Sequence, residues 1–388
     1  MYTDITFPAF AALLLAAAAC QAQTGAELEF KKHTLIDEFI SEGVAVGDVN
    51  KDGNIDIMAG AYWFQAPAWQ RHEIAEPQVF YPDKGYSNSM LNFSMDVNQD
   101  GWVDLIRIDF PGTAALWHEN PRNKEGHWKV HTIYPTVGNE SPAFVDIDGD
   151  GRSDLLCADS ETKEIIWLRS PAKAGETAWE KYVISGKDAP GTNRFSHGLG
   201  FGDINGDGRN DVMIKEGWWE APADPKQAGW RFHPAALGED CAQMYAYDVD
   251  QDGDQDVISS SAHKYGMWWH EQARDAQGKP GWELHEISRQ FSQTHALSLV
   301  DLNEDGHPDL VTGMRYFAHL GKDPGEQNAP VLYWFEFKPG SPPSWTGHEI
   351  DNDSGVGLNI VTEDITGDGL KDIVIANKKG VFLFERKN

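Results

Sequence analysis

Cysteine is scarce: three in 388 residues, at Cys20, Cys157 and Cys241. So few exclude a disulfide scaffold and a Cys-rich zinc protein. Positive charge is scarce too, with 32 Lys and Arg against 61 Asp and Glu and a formal net charge of −29. Such a surface offers no basic footprint, which excludes nucleic acid and anionic membrane surfaces as partners. Long apolar runs are also missing. Residues 7–19, FPAFAALLLAAAA, form the one extended stretch, and it is too short to span a bilayer. Apolar side chains as such are plentiful. Hydrophobic residues make up 40% and there are 15 Trp, too many for a disordered chain.

The run at 7–19 has the length of a signal-peptide core, and residues 1–22 are expected to be an export signal. It ends in AAAC at Cys20, followed by QAQTG. Small residues before a single Cys resemble a bacterial lipoprotein cleavage site, which implies a lipid on Cys20. Cleavage near Ala22, giving a soluble exported product, is the other reading. The expected location is periplasmic, cell-surface or secreted, with membrane contact only through that lipid.

An internal repeat dominates the rest. The pattern D-x-[D/N]-x-D-G-x-x-D occurs as DVNKDGNID, DVNQDGWVD, DIDGDGRSD, DINGDGRND, DVDQDGDQD, DLNEDGHPD and DITGDGLKD. Successive starts are 48, 50, 57, 45, 53 and 63 residues apart. Oxygens at positions one, three, five and nine, with a carbonyl at seven, suit a hard cation such as calcium. Glycine at position six permits the sharp turn that lets them converge.

The expected ligands are Asp48, Asn50, Asp52 and Asp56 in the first loop and Asp96, Asn98, Asp100 and Asp104 in the second. Asp146, Asp148, Asp150 and Asp154 follow, then Asp203, Asn205, Asp207 and Asp211. The fifth and sixth loops offer Asp248, Asp250, Asp252 and Asp256, and Asp301, Asn303, Asp305 and Asp309. The seventh has Asp364, Asp368 and Asp372, with Thr366 at position three, and is expected to bind more weakly. None carries the Glu at position twelve that completes an EF-hand, and β-type runs flank the loops. Several calcium ions are expected, up to one per repeat, and the loops absorb much of the acidic excess.

Two further repeats share the period. An aromatic-x-x-His-x-aliphatic strand precedes each loop, as at Trp230/His233 and Trp282/His285, and an aromatic strand such as GWW at Gly217 follows it. Four strands repeated seven times predict an all-β fold, a seven-bladed β-propeller of four-stranded blades. The last repeat lacks its outer strand, which residues 29–36 would supply, closing residues 27–388 into one ring.

The loops and their spacing resemble FG-GAP or VCBS repeat propellers, related to the head of integrin α chains. That resemblance implies the fold and calcium, and leaves function open. A narrower one lies in FSHGLGFGDINGDGRNDVMIKEGWWEAP from Phe195, which is similar to the propeller of aldos-2-ulose dehydratase. Propellers also occur among polysaccharide lyases. Both comparisons imply elimination chemistry on sugars.

Histidine carries the remaining signal. Of 14, six fall in the outer-strand repeat (His33, His72, His131, His233, His285, His348) and read as structural. His118, His270, His307 and His127 lie in other repeated or ordinary positions. His197, His263, His295 and His319 break the pattern, and all map to the face away from the Asp loops. Lys215, Glu216, Lys264, Arg315 and Tyr316 are expected nearby, as are Asp109, Asp159 and Asn377 from other repeats. Tyr81, Tyr86 and Phe80, in a lid-like segment, and Tyr245 are candidate exposed aromatics.

Two chemical readings follow. His197, His263 and His295, with Glu216 as a further ligand, could hold zinc or another transition metal. Alternatively, one His or Tyr316 takes a proton α to a carbonyl while Arg315, Lys264 or the metal steadies the enolate. The expected function is a carbohydrate lyase or dehydratase. The alternative is a non-catalytic glycan- or protein-binding module stiffened by calcium, or a structural partner in a larger assembly. Nothing in the sequence fixes an oligomeric state.

Overall fold

The computed structural model describes residues 28–274 and 280–387. The expected export signal and Cys20 lie outside them. Among the described residues no helix is long and apolar enough to cross a membrane.

The architecture is an all-β propeller. Among the described residues the strands pair antiparallel into seven four-stranded sets, spanning about residues 45–73, 91–137, 137–183, 199–234, 243–292, 297–351 and 360–387. The second and third share one long strand, Lys129–Val145, in which Val137 pairs with both Thr113 and Asp159. The fourth and fifth are joined at their inner strands by a short parallel pairing, Leu199 to Gln243 and Gly200 to Met244. Gly200 is required there, since a Cβ would lie 2.5 Å from the Met244 carbonyl oxygen. The seventh set takes its outer strand from the other end of the chain, Glu29–Ile36 against Gly380–Lys387. This pairing covers an edge that would otherwise be exposed.

The second strand of each set is the most apolar, and it is buried on both faces between its neighbours. Asp104–Ile108, Asp256–Ser260 and Asp372–Asn377 are buried at every position. Each apolar side chain so buried contributes about 1.5–3 kcal/mol. Cys157 and Cys241 are unpaired and buried in these layers.

Each of these strands begins on the position-nine Asp of its loop, and that carboxylate works as a clamp. Asp56 accepts the Val49 N–H at 3.0 Å on one oxygen and the Ala66 N–H at 2.9 Å on the other. Asp104, Asp154, Asp211, Asp256, Asp309 and Asp372 repeat the arrangement. The clamp ties the loop to the end of the third strand. Burial pushes Asp56 up to about 6 and Asp104, Asp154, Asp211, Asp256 and Asp309 up to about 7.

The outer-strand histidines are structural: four stack on a Trp and meet a Glu, while His72 stacks on Trp63 and meets Gln65, and His33 meets Glu385. His233 stacks on Trp218 with centroids 4.1 Å apart, and its Nε2 lies 2.7 Å from Glu220. His131 with Trp117 and Glu119, and His285 with Trp269 and Glu271, do the same. The acid stands two residues after the Trp, a part of the repeat the sequence reading overlooked.

Candidate functional site

The inner strands run toward the Asp loops, so the segments entering them meet at the opposite face. His197 enters the fourth inner strand and His295 the sixth, while His263 follows the second strand of the fifth set. Their rings converge: centroids are 4.5 Å apart for His197 and His263, 5.1 Å for His263 and His295, and 5.5 Å for His197 and His295. One nitrogen from each lies within 4.8 Å of the others, a spacing that can hold one metal ion. His319, on the short turn Ala318–Leu320, sits 4.5 Å from His263.

His197 and His295 are buried, at 6% and 2% exposure. The Nε2 of His295 is buried without a hydrogen-bond partner, while that of His197 has the Glu140 carboxylate beside it. His197 Nδ1 is held 3.0 Å from the Phe195 carbonyl, so it donates there and presents Nε2 to the cluster. Burial, then the Arg315 charge and the neighbouring imidazoles, drives His295 well below its ordinary range. Burial, then His197 and His319, lowers His263 as well. Neutral imidazole is the form that ligates metal.

Two acids that sequence reasoning missed stand beside the cluster. Glu140 Oε2 lies 3.3 Å from His197 Nε2. Burial pushes this carboxyl up, but His197, Arg315 and His263 outweigh it and leave it below its ordinary range. Glu42 bonds Arg315 at 2.5 Å. Both acids occupy the same place as His197 and His295, six residues before their loops. Reading that position for every ionisable type, not for His alone, would have found them. Lys378 was missed in the same way, since it occupies the repeat position of Arg315. Its Nζ donates to the Pro82 and Phe317 carbonyls and lies 4.4 Å over the Tyr86 ring.

Of the other expected residues, Arg315 lies inside, against Glu42 and 5.3 Å over Tyr86. Lys215 pairs with Asp240 at 2.5 Å and with Glu216 at 3.7 Å. Lys264 pairs with Glu239 at 3.4 Å and is largely exposed. Tyr316 rests against Phe317 and under Lys379. Among the described residues these four, Lys215, Glu216, Lys264 and Tyr316, have no hydrogen bond, ion pair or ring contact with the imidazoles. Asp109 pairs with Arg107, and Asn377 bonds the Ser354 carbonyl. Asp159 is buried and accepts from Tyr134, Thr136, Thr162 and Lys181. All three serve local structure. Tyr245 is no rim aromatic: it lines the central channel and donates its hydroxyl to the Leu297 carbonyl. Tyr81 is exposed at 60%. Tyr86 is half-buried, and Phe80 leans on Phe39.

On the opposite face the Asp loops have a chemistry that fits calcium. Position-one carboxylates accept backbone N–H groups of the turn, as Asp48 does from Asp52 and Gly53. Oxygens of Asp146, Asp148 and Asp154 lie within 4.8 Å of one another, as do those of Asp248, Asp250 and Asp256. Asp148 Oδ1 and Asp248 Oδ1 are buried without a hydrogen-bond partner, the kind of atom a cation would satisfy. Arginines meet the position-five carboxylates of the second and fourth loops, Arg122 on Asp100 at 2.6 Å and Arg209 on Asp207, and the third loop has its position-three Asp paired as well. Arg169 reaches Asp148 at 2.5 Å and Asp150 at 2.6 Å, and Lys226 reaches Asp148 at 3.2 Å.

Fold and site together define an all-β propeller with a polar, imidazole-rich cluster on the face opposite its Asp loops. Three stretches of the chain match the FG-GAP-like repeat family, residues 96–157, 146–214 and 248–312. No curated protein sequence matches the chain. Among solved structures it is similar to an Agrocybe aegerita lectin that recognises non-reducing terminal N-acetylglucosamine. The identity is 14%, over 85% of this chain and 83% of that one, with a TM-score of 0.48. It is also similar to the rhamnogalacturonan lyase YesW, at 11% identity over 92% and 72% of the chains and a TM-score of 0.45. A third is BBS1N in complex with ARL6DN, at 10% identity over 92% and 96% and a TM-score of 0.50. Likenesses at such identity concern the fold alone.

Proposed function

We propose that this protein is an exported, calcium-stiffened propeller that acts on carbohydrate as a lyase or dehydratase. Its reaction site would be a divalent transition-metal centre on His197, His263 and His295. One observation carries the reading: the buried Nε2 of His295 has no partner, and one nitrogen from each of His197, His263 and His295 lies within ligand spacing of the others. Burying that nitrogen unpaired costs about 1–3 kcal/mol, and a bound cation removes the cost. What the cation supplies is positive charge for a carbonyl oxygen of the sugar.

The chain's own groups divide the remaining work. His319 is the most exposed imidazole of the four and lies outside the three-His set. In this reading it takes the proton from the carbon α to that carbonyl. The C–H electron pair becomes the new C=C bond, the β C–O bond breaks with its electron pair on oxygen, and the departing oxygen takes up a proton from water. Arg315 is held by Glu42, which keeps a fixed positive charge beneath the site. Nothing in this arrangement calls on Tyr316 or Lys264.

The test is an elimination assay on a panel of neutral, keto- and uronic-acid sugars, read by absorbance of the unsaturated product. Turnover by the wild type that His319→Ala and His295→Ala abolish is expected. Saturable glycan binding without turnover would instead support the non-catalytic binding module.

A further inference from the structure

The connection between the second and third strands of the sixth set is long, and it leaves its own repeat to lie on the fifth. Ser292 Oγ of the fifth set donates to the Pro324 carbonyl at 2.6 Å. Gly325 packs so closely there that a Cβ would lie 2.5 Å from Ser292 Oγ and 2.6 Å from the Tyr265 hydroxyl. Asn328 Nδ2 donates to that same hydroxyl at 3.2 Å. At its other end the connection is tied down by Lys378 on the Phe317 carbonyl and by the Tyr86 hydroxyl near the His319 N–H. Phe317, His319 and Leu320 hold left-handed backbone, with φ of 51°, 46° and 56°. Such conformations cost non-glycine residues free energy and persist only when their surroundings impose them.

This anchoring delivers one carboxylate. Asp323 Oδ2 lies 2.8 Å from His319 Nδ1 and 3.4 Å from His263 Nδ1. One oxygen therefore serves two imidazoles. The side chain is mostly buried, at 15% exposure. His197 supplies the precedent within the same cluster, since its Nδ1 is held by a carbonyl and its Nε2 is left facing the other rings. Metal-binding histidines commonly have their second nitrogen fixed this way, and the partner sets both tautomer and ring orientation.

We propose that Asp323 is a positioning residue: by accepting Nδ1–H from both His263 and His319, it fixes their tautomers and aims the Nε2 of His263 at the cluster. The inference rests on the metal-centre reading for its consequence, though not for its geometry. Asp323 touches neither substrate nor metal in this role. No repeat marks it, because it sits in an insertion with no counterpart in the other sets.

Two measurements on the full chain separate this inference from the reading beneath it. The first uses metal-free protein and records the ¹⁵N shifts of the His263 and His319 ring nitrogens. The wild type should show both rings protonated on Nδ1, and Asp323→Asn should lose that preference. Protonation of both on Nε2 in the wild type would overturn the proposal whether or not any metal binds. The second titrates zinc alone into wild type, Asp323→Asn and Asp323→Glu. Asp323→Asn should weaken zinc binding about 10–100-fold, with Asp323→Glu recovering part of the loss. The melting temperature of the metal-free Asn variant should stay close to that of the wild type. Equal zinc affinity in wild type and Asp323→Asn would contradict the positioning role. A wild type that binds no zinc but keeps the Nδ1–H tautomers would sink the metal reading and leave the geometric claim standing.

Discussion

Arg315 Nη2 meets Glu42 Oε1 at 2.5 Å, joining the sixth strand set to the first. Neither side chain is more than 2% exposed. Losing one partner strands a buried charge, so Arg315→Met should cost about 3–5 kcal/mol. Removing both charges, in Glu42→Gln with Arg315→Met, should cost less than the single change. Urea unfolding of the four proteins gives the coupling energy. Additive effects would mean that the pair is not desolvated.

The outer-strand and cluster histidines should respond oppositely to substitution. His233→Gln loses a stack on Trp218 and a bond to Glu220, both partly exposed. It should cost about 1 kcal/mol or less and leave zinc affinity unchanged. His295→Ala should abolish zinc binding. Paired zinc titrations and thermal melts check this; a large affinity loss in His233→Gln would overturn the sorting.

That sorting was legible because repetition supplies its own control. The six outer-strand histidines share one register, and the structure gives each pattern-bearing His a repeated partner. Strand order, ring closure by residues 29–36 and the face carrying His197, His263, His295 and His319 followed from the same register. Glu42, Glu140 and Lys378 occupied readable positions but were passed over for want of an imidazole. Lys215, Lys264 and Tyr316 failed for another reason: adjacency in the chain placed them on the correct face, while their side chains engage Asp240, Glu239 and Phe317 and not the imidazoles. Asp323 was illegible, since its place depends on how an insertion folds over a neighbouring set.

Calcium binding should be unequal among the loops. Arg169 and Lys226 already neutralise Asp148 and Asp150 in the third loop. We expect this loop to bind calcium more weakly than the first, whose Asp side chains have no Lys or Arg partner among the described residues, and Arg169→Gln to tighten it. Calorimetric calcium titration of both proteins reads the difference. Chelator should lower the wild-type melting temperature, because ligands bound only by the folded state stabilise it. An unchanged melting temperature would contradict the calcium assignment.

Lys378 gives a pH signature. Burial lowers its ammonium to about 8 from 10.5. Between those values the unfolded chain holds a proton that the folded chain has released. Stability should therefore rise with pH from about 8 to 10.5, with no contribution to the slope below 8. Lys378→Met should flatten that rise in urea midpoints taken across the window. An unchanged slope would assign it to other groups.

The most direct test of the central claim is the metal content of the purified protein, dialysed without chelator, beside His197→Ala and His295→Ala. The account predicts about one zinc, manganese or iron per chain in addition to calcium, lost in both variants while calcium is retained. Calcium alone in the wild type, or a transition metal that survives both substitutions, would contradict it.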